Sequence, residues 1–332
     1  MKKYACLLFF ALLLNGCDDG DLTVDSVNFD SVTPQSCDTI NRLIYKLKSQ
    51  ESLLLQLPPN SIKNDVTVPG TPIIYNIDSN GNGSYRFLYR AYDGTVATAN
   101  ICGTIPPKTP NVTQEWVAIS GQIVIISTQD FETDATTGAT KITGYTHNIN
   151  LKNVTFSKPS GIDQVQEDFP FGNFTTKLLN PVAISFTDTN AGYCEIAKKI
   201  YNDNGTSAVI IKNFDDTLIK NEVTPPGQPR TRVINATATT NNVTYETYAG
   251  TLPDKTSDYF CAGQTSSPPV NSTWVANTGS STNQTGIIEV TTTEETNVFR
   301  HKVVLRSTTF QKGNSTFTPG TTFLIGTFTT SK

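Results

Sequence analysis

The chain has 332 residues, a formal net charge of −4 and only 16% charged side chains, against about a quarter in an average soluble domain. Without a basic stripe, that balance argues against a nucleic-acid partner. Short Val, Ile, Phe and Tyr runs separated by Thr, Asn, Ser, Gly and Pro predict an all-β chain, long enough for two domains.

In chain order, the first feature is an export signal. Lys2 and Lys3 precede an apolar run from Tyr4 to Leu14, then Asn15, Gly16 and Cys17. The run is too short for the roughly 20 residues of a membrane-spanning helix. Leu14-Asn15-Gly16-Cys17 resembles the bacterial lipobox. The resemblance implies that residues 1–16 are a lipoprotein signal peptide and that Cys17 becomes the lipidated first residue, holding the protein to a membrane by two or more acyl chains. Residues 17–21 form an acidic tether, with Asp18, Asp19, Gly20 and Asp21. This run resembles the export signal of Bacteroidota surface lipoproteins, which implies the outer membrane and an exterior-facing position. In an enterobacterial lipoprotein, Asp at this place would instead imply retention at the inner membrane.

Beyond the tether the chain repeats itself. Ile62-Lys63-Asn64-Asp65-Val66-Thr67-Val68-Pro69-Gly70-Thr71-Pro72 recurs as Ile219-Lys220-Asn221-Glu222-Val223-Thr224-Pro225-Pro226-Gly227-Gln228-Pro229, eight identities in eleven. Similar offsets match Cys37 to Cys194, Cys102 to Cys261, Trp116 to Trp274 and His147 to His301. This predicts an internal duplication, with two tandem β-sandwich domains over residues 22–176 and 177–332. The expected strands in the first are Leu22 to Phe29, Tyr85 to Tyr92, Trp116 to Ile119, Ile123 to Ser127 and Ile149 to Phe156. In the second they are Leu179 to Phe186, Ala208 to Lys212, Ile287 to Thr291 and Val303 to Thr308. Thr39 to Leu57 could form a helix. Its counterpart breaks at Asn202-Asp203-Asn204-Gly205, so both read as strand, turn and strand. Little linker remains near Lys177, so a fixed relation between the domains is expected.

Cys6 departs with the signal and Cys17 is acylated. The remaining four cysteines allow three pairings. A duplicated ancestor with two cysteines selects Cys37 with Cys102 and Cys194 with Cys261, in an oxidising compartment.

No residue pattern announces catalysis. There is no Gly-x-Ser-x-Gly elbow, no His-Glu-x-x-His and no phosphate loop, and no close cysteine pair for zinc. His147 and His301 read as strand-edge residues inherited with the fold. Glu167-Asp168, Asp215-Asp216 and Glu294-Glu295 are the acid clusters available for glycoside cleavage, and they read as hydrated loop residues. Asp78-Ser79-Asn80-Gly81-Asn82-Gly83 opens like a calcium loop but has Tyr89 where a bidentate Glu belongs, so it reads as a turn. Trp116 and Trp274 are expected in the core. Asp25-Ser26-Val27, Asp30-Ser31-Val32, Asp38-Thr39-Ile40 and Asp216-Thr217-Leu218 resemble Bacteroidota O-glycosylation sites.

As a whole the chain resembles a Bacteroidota-type surface lipoprotein. We expect a non-enzymatic binding or adhesion module with no catalytic residue, metal or cofactor. Its partners would be the membrane, through Cys17, and a protein or glycan ligand. The alternatives are a glycan-binding accessory of an outer-membrane uptake system and, third, a surface hydrolase.

Overall fold

The computed structural model describes residues 27–237, 240–255, 259–261 and 267–332. Cys17, the signal peptide and the tether lie outside the described residues. The fold is all-β: nineteen strands are described, with one short helix, α1 (Thr98–Cys102), and a single 3-10 turn at Asp216–Leu218. No helix among the described residues is long and apolar enough to cross a membrane.

In the first half, β1 (Gln35–Ser36), β2 (Leu43–Lys48), β3 (Glu51–Gln56), β5 (Arg86–Tyr92), β6 (Val112–Thr133), β7 (Thr140–Ser157) and β8 (Gln164–Val182) follow one another in a single antiparallel sheet. The last three strands are long because each serves two layers. The start of β6 pairs with β5, Leu88 opposite Val117, while its later part pairs with β4 (Ile73–Asn76), Ile73 opposite Ile125. The sheet turns over at bulges, the device by which a strand bends and changes layer. Register shifts flank Ser120, and Gly121 has φ 127°, where an added Cβ would lie 2.9 Å from the Val154 backbone. Leu53, Leu55, Phe87, Trp116, Ile123, Leu151 and Phe171 are enclosed between the layers.

The second half uses the same order of pairing, but each long strand is cut in two. β14 (Val270–Ala276) and β15 (Ile287–Glu294) stand where β6 would run. β16 (Val298–Arg306) and β17 (Phe310–Lys312) replace β7, and β18 (Ser315–Phe317) and β19 (Thr322–Ser331) replace β8. One sheet therefore becomes two: seven strands in the order β18-β17-β14-β13-β11-β10-β9 and four in the order β12-β15-β16-β19. The further members are β9 (Gly192–Cys194), β10 (Lys199–Asp203), β11 (Ser207–Lys212), β12 (Arg230–Val233) and β13 (Asn242–Tyr248). The cause is local: the polar segment from Asn277 to Gly286 loops out between β14 and β15, and Gly286 has φ 60°. The core holds Ile200, Val209, Ile211, Trp274, Val290, Leu305 and Phe317.

A buried polar side chain ties the two layers in each half. Lys46 on β2 donates to the Phe171 carbonyl at 2.9 Å, and Asn202 on β10 donates to the Ile325 carbonyl at 2.6 Å. Each accepting carbonyl immediately precedes a glycine with positive φ, Gly172 or Gly326.

The residues from Thr39 to Leu57 form the β2–β3 hairpin, with Ser49 at φ 52° in its turn. Leu179 to Phe186 does not start a strand. β8 runs unbroken through Lys177 to Val182 and the chain then becomes irregular, because Leu178, Val182, Ile184 and Phe186 pack on the second half's core. Val27 to Phe29, the described end of the other expected first strand, is irregular as well.

The halves thus meet within a strand, and their contact is extensive. Ile142 and Tyr145 of β7 belong to the second half's core. Gln129 closes a two-way clamp on the Thr316 backbone, donating at 2.7 Å and accepting at 2.9 Å. The tip of the β6–β7 hairpin adds Thr140 N–H to the Thr318 carbonyl and Thr321 N–H to the Thr137 carbonyl.

Candidate functional site

The residues closest to a chemical constellation are the two histidines. Neither is at a strand edge. His147 lies in the middle of β7 between β6 and β8, and His301 in the middle of β16, and both are fully buried. The inward alternation of β7 that buries Ile149 and Leu151 also points His147 into the layer.

His147 Nδ1 is 2.8 Å from Ser127 Oγ, and its Nε2 is 3.0 Å from Thr176 Oγ1, whose proton goes to Asn64 Oδ1 at 2.7 Å. The second half repeats this chain as Thr292, His301, Thr330 and Asn221, at 2.9, 2.9 and 2.6 Å. The donors fix the tautomer. Since the threonine hydroxyl gives its only proton to the asparagine, it accepts from Nε2–H, and Nδ1 accepts from the Ser127 or Thr292 hydroxyl. Burial pushes both imidazoles down to about 4, with Asp130 opposing the shift at His147 and Arg230 adding to it at His301. Both rings are neutral at pH 7.

Serine and histidine therefore converge, but as a structural tie. Ser127 is buried, Thr292 occupies its place in the other half, and the ring's far side ends on an amide where a triad has a carboxylate. In the second half the outer end of the chain, Asn221 and Thr330, reaches an open groove of about 660 Å³.

These chains give the repeated loop its physical reason. Asn64 ends the histidine chain, and Thr67 pairs with β6: its hydroxyl accepts from Ser127 N–H at 2.8 Å and its own N–H donates to the Ser127 carbonyl at 2.9 Å. Asn221 and Thr224 repeat both roles against Thr330 and Thr292. The variable position between them differs because its neighbours differ. Asp65 caps the β17–β18 turn of the other half, accepting from Asn314 N–H at 3.0 Å and the Ser315 hydroxyl at 2.8 Å. Glu222 faces solvent, 4.0 Å from Arg230.

Cys37 is bonded to Cys102 and Cys194 to Cys261, closing separations of 65 and 67 residues. Cys102 ends α1, whose entry is held by Ala97 N–H donating to Asn100 Oδ1 at 2.9 Å. Beside the first disulfide lies an open cleft of about 570 Å³.

Five of the six clustered acids are engaged at the surface, and the sixth, Glu167, is exposed. Asp168 pairs with Lys152, Asp216 with Lys198, Glu294 with Lys332 and Glu295 with Arg300. Asp215 accepts from Thr217 and pairs with Arg232, which together hold its carboxyl down at about 2. Asp215 and Asp216 line an open cleft of about 520 Å³ together with Lys198 and Thr217. Asp78 closes its turn by accepting from Tyr85 N–H at 2.8 Å, and no cluster of metal-ligating side chains occurs among the described residues. The Thr217 hydroxyl is taken by Asp215 and Arg232, whereas Thr39 is exposed. Trp116 and Trp274 are buried, Trp116 under the Lys158 ammonium at 4.0 Å.

Sequence reasoning did not find Gln129, Asp65 or Phe131. The signal for Asp65 is its mismatch with Glu222 inside an otherwise repeated motif. For the other two it is hairpin length, because β6 runs six residues past Ser127 while β15 runs two past Thr292. No protein-family model, curated protein or solved structure matches this chain.

Proposed function

We propose that the chain is a lipid-anchored surface lipoprotein that acts as a non-enzymatic binding or adhesion module. The observation that carries this reading is what becomes of its reactive side chains. The two histidines are locked into buried hydrogen-bond chains, and of the clustered acids Asp168, Asp215, Asp216, Glu294 and Glu295 are paired with surface cations. What remains open to a partner is loops and clefts on a braced β scaffold, where binding residues concentrate. The anchor rests on Leu14-Asn15-Gly16-Cys17 and the acidic run after it. A glycan-capturing role is the second reading, favoured by the one exposed aromatic ring among the described residues, Phe131.

The anchor is tested by expressing the full chain and its Cys17→Ser variant. Cleavage before residue 17 and partition into the detergent phase are expected for the natural chain and lost in the variant. Unchanged processing and partition would end the lipoprotein reading. Binding is tested by offering the full-length protein to glycan and extracellular-matrix protein arrays, and retention on neither would end the binding reading.

A further inference from the structure

We infer that the cleft at the junction of the two halves is a binding subsite for a neutral saccharide, with Phe131 as its stacking platform. The inference rests on the binding reading above and names a ligand class for it.

Phe131 is 54% exposed, and it is the sole exposed aromatic among the described residues. Leaving a benzyl group half in water forgoes burial that would favour the fold, yet the ring sits on a strand opposite Ile142, whose own side chain is fully buried. It lines an open cleft of about 270 Å³ together with Gln129, Thr140, Thr309, Thr316 and Thr318. No charged side chain lines this space, which disfavours an ionic ligand. The Thr309 and Thr316 hydroxyls make no hydrogen bond among the described residues. An aromatic face beside uncommitted hydroxyls matches the two faces of a pyranose: its axial C–H groups pack on the ring and its hydroxyls exchange hydrogen bonds with threonine.

The walls are preorganised. The Gln129–Thr316 clamp and the reciprocal bonds between Thr140 and Thr318, 2.8 Å in each direction, fix one side of the cleft to the other, so little ordering cost falls on binding. A second opening of about 290 Å³ shares Thr140 and Thr318 and is lined also by Glu132, Asp134 and Lys141, so the uncharged subsite is confined to the Phe131 cleft. The site is made by the long β6–β7 hairpin, for which the second half has no equivalent.

The test is an array of neutral gluco-, manno-, galacto- and xylo-oligosaccharides, probed with the full-length protein in detergent and with its Phe131→Ala, Phe131→Trp and Thr316→Val variants. The natural chain should retain at least one saccharide. Phe131→Ala should weaken it at least tenfold with no change in melting temperature, Thr316→Val should weaken it less, and Phe131→Trp should keep it. Saccharide binding indifferent to Phe131 would overturn the subsite and leave the binding reading intact. So would retention of peptides with apolar side chains through Phe131 when no sugar is held. Failure to retain any saccharide overturns the subsite as well, and the matrix-protein array separately decides whether the binding reading falls with it.

Discussion

The loop containing Asp65 and the loop containing Glu222 share most of their residues and do different work at two adjacent positions, the acid and the valine after it. In both, an asparagine ends a buried histidine chain and a threonine pairs with the adjacent strand. Of the acid and the valine between them, what each meets is set by its place in the molecule: Val66 packs on the other half's core and its carbonyl accepts from the Asn314 side chain, whereas Val223 is exposed. Asp65 is short and holds the β17–β18 turn of the other half, whereas Glu222 reaches into water beside Arg230. The lesson is that the inward-facing part of the loop belongs to the local fold and the outward-facing part to assembly of the two halves.

The two histidine chains, alike in both halves, should respond alike to acid. A histidine at about 4 in the fold and 6.5 when unfolded binds more protons in the unfolded chain throughout that interval. Its contribution is fully present above pH 6.5, falls as pH drops toward 4, and changes no further below that. Each histidine should contribute about 3 kcal/mol over this window, measured as the pH dependence of the urea unfolding free energy. Since the chains are alike, His147→Gln should remove about half of the slope that the histidines supply, and His301→Gln the other half. An unchanged slope in either variant would show that the two rings are not equivalent.

The differing acids of the two loops should respond unequally to alanine. Asp65→Ala strips partners from Asn314 N–H and the Ser315 hydroxyl and should cost about 1–3 kcal/mol. Glu222→Ala loses only a loose exposed pair and should stay within about 0.5 kcal/mol. Urea midpoints read both, and equal costs would contradict the division of labour.

The all-β class was legible in the sequence because Val, Ile and Phe runs between Asn-Gly and Pro-Gly turns have no competing helical period. The hairpin at Thr39 to Leu57 was legible only through its counterpart, since Leu53, Leu54 and Leu55 alone suit a helix as well as a strand. Where the long strands break was not legible. That depends on whether the chain turns through the bulges that flank Ser120 or loops out from Asn277 to Gly286, and a polar run such as the latter suits a turn within one sheet as well as a crossing between two. The site was half legible. Matching positions marked His147 and His301 as a pair, but their partners come from segments 20 to 83 residues away in the first half, and no local pattern records that they are buried. Phe131 was hidden among other strand aromatics, since exposure is a property of the finished fold.

Gln129, Asp65 and the shared packing of Ile142 and Tyr145 clamp the two halves together. The most direct measurement is a pulsed dipolar distance between spin labels at two exposed positions, Ile105→Cys in the first half and Ile196→Cys in the second. One narrow distribution is expected, broadened when Asp65 and Gln129 are both replaced by alanine. A broad distribution in the otherwise natural chain would contradict the account.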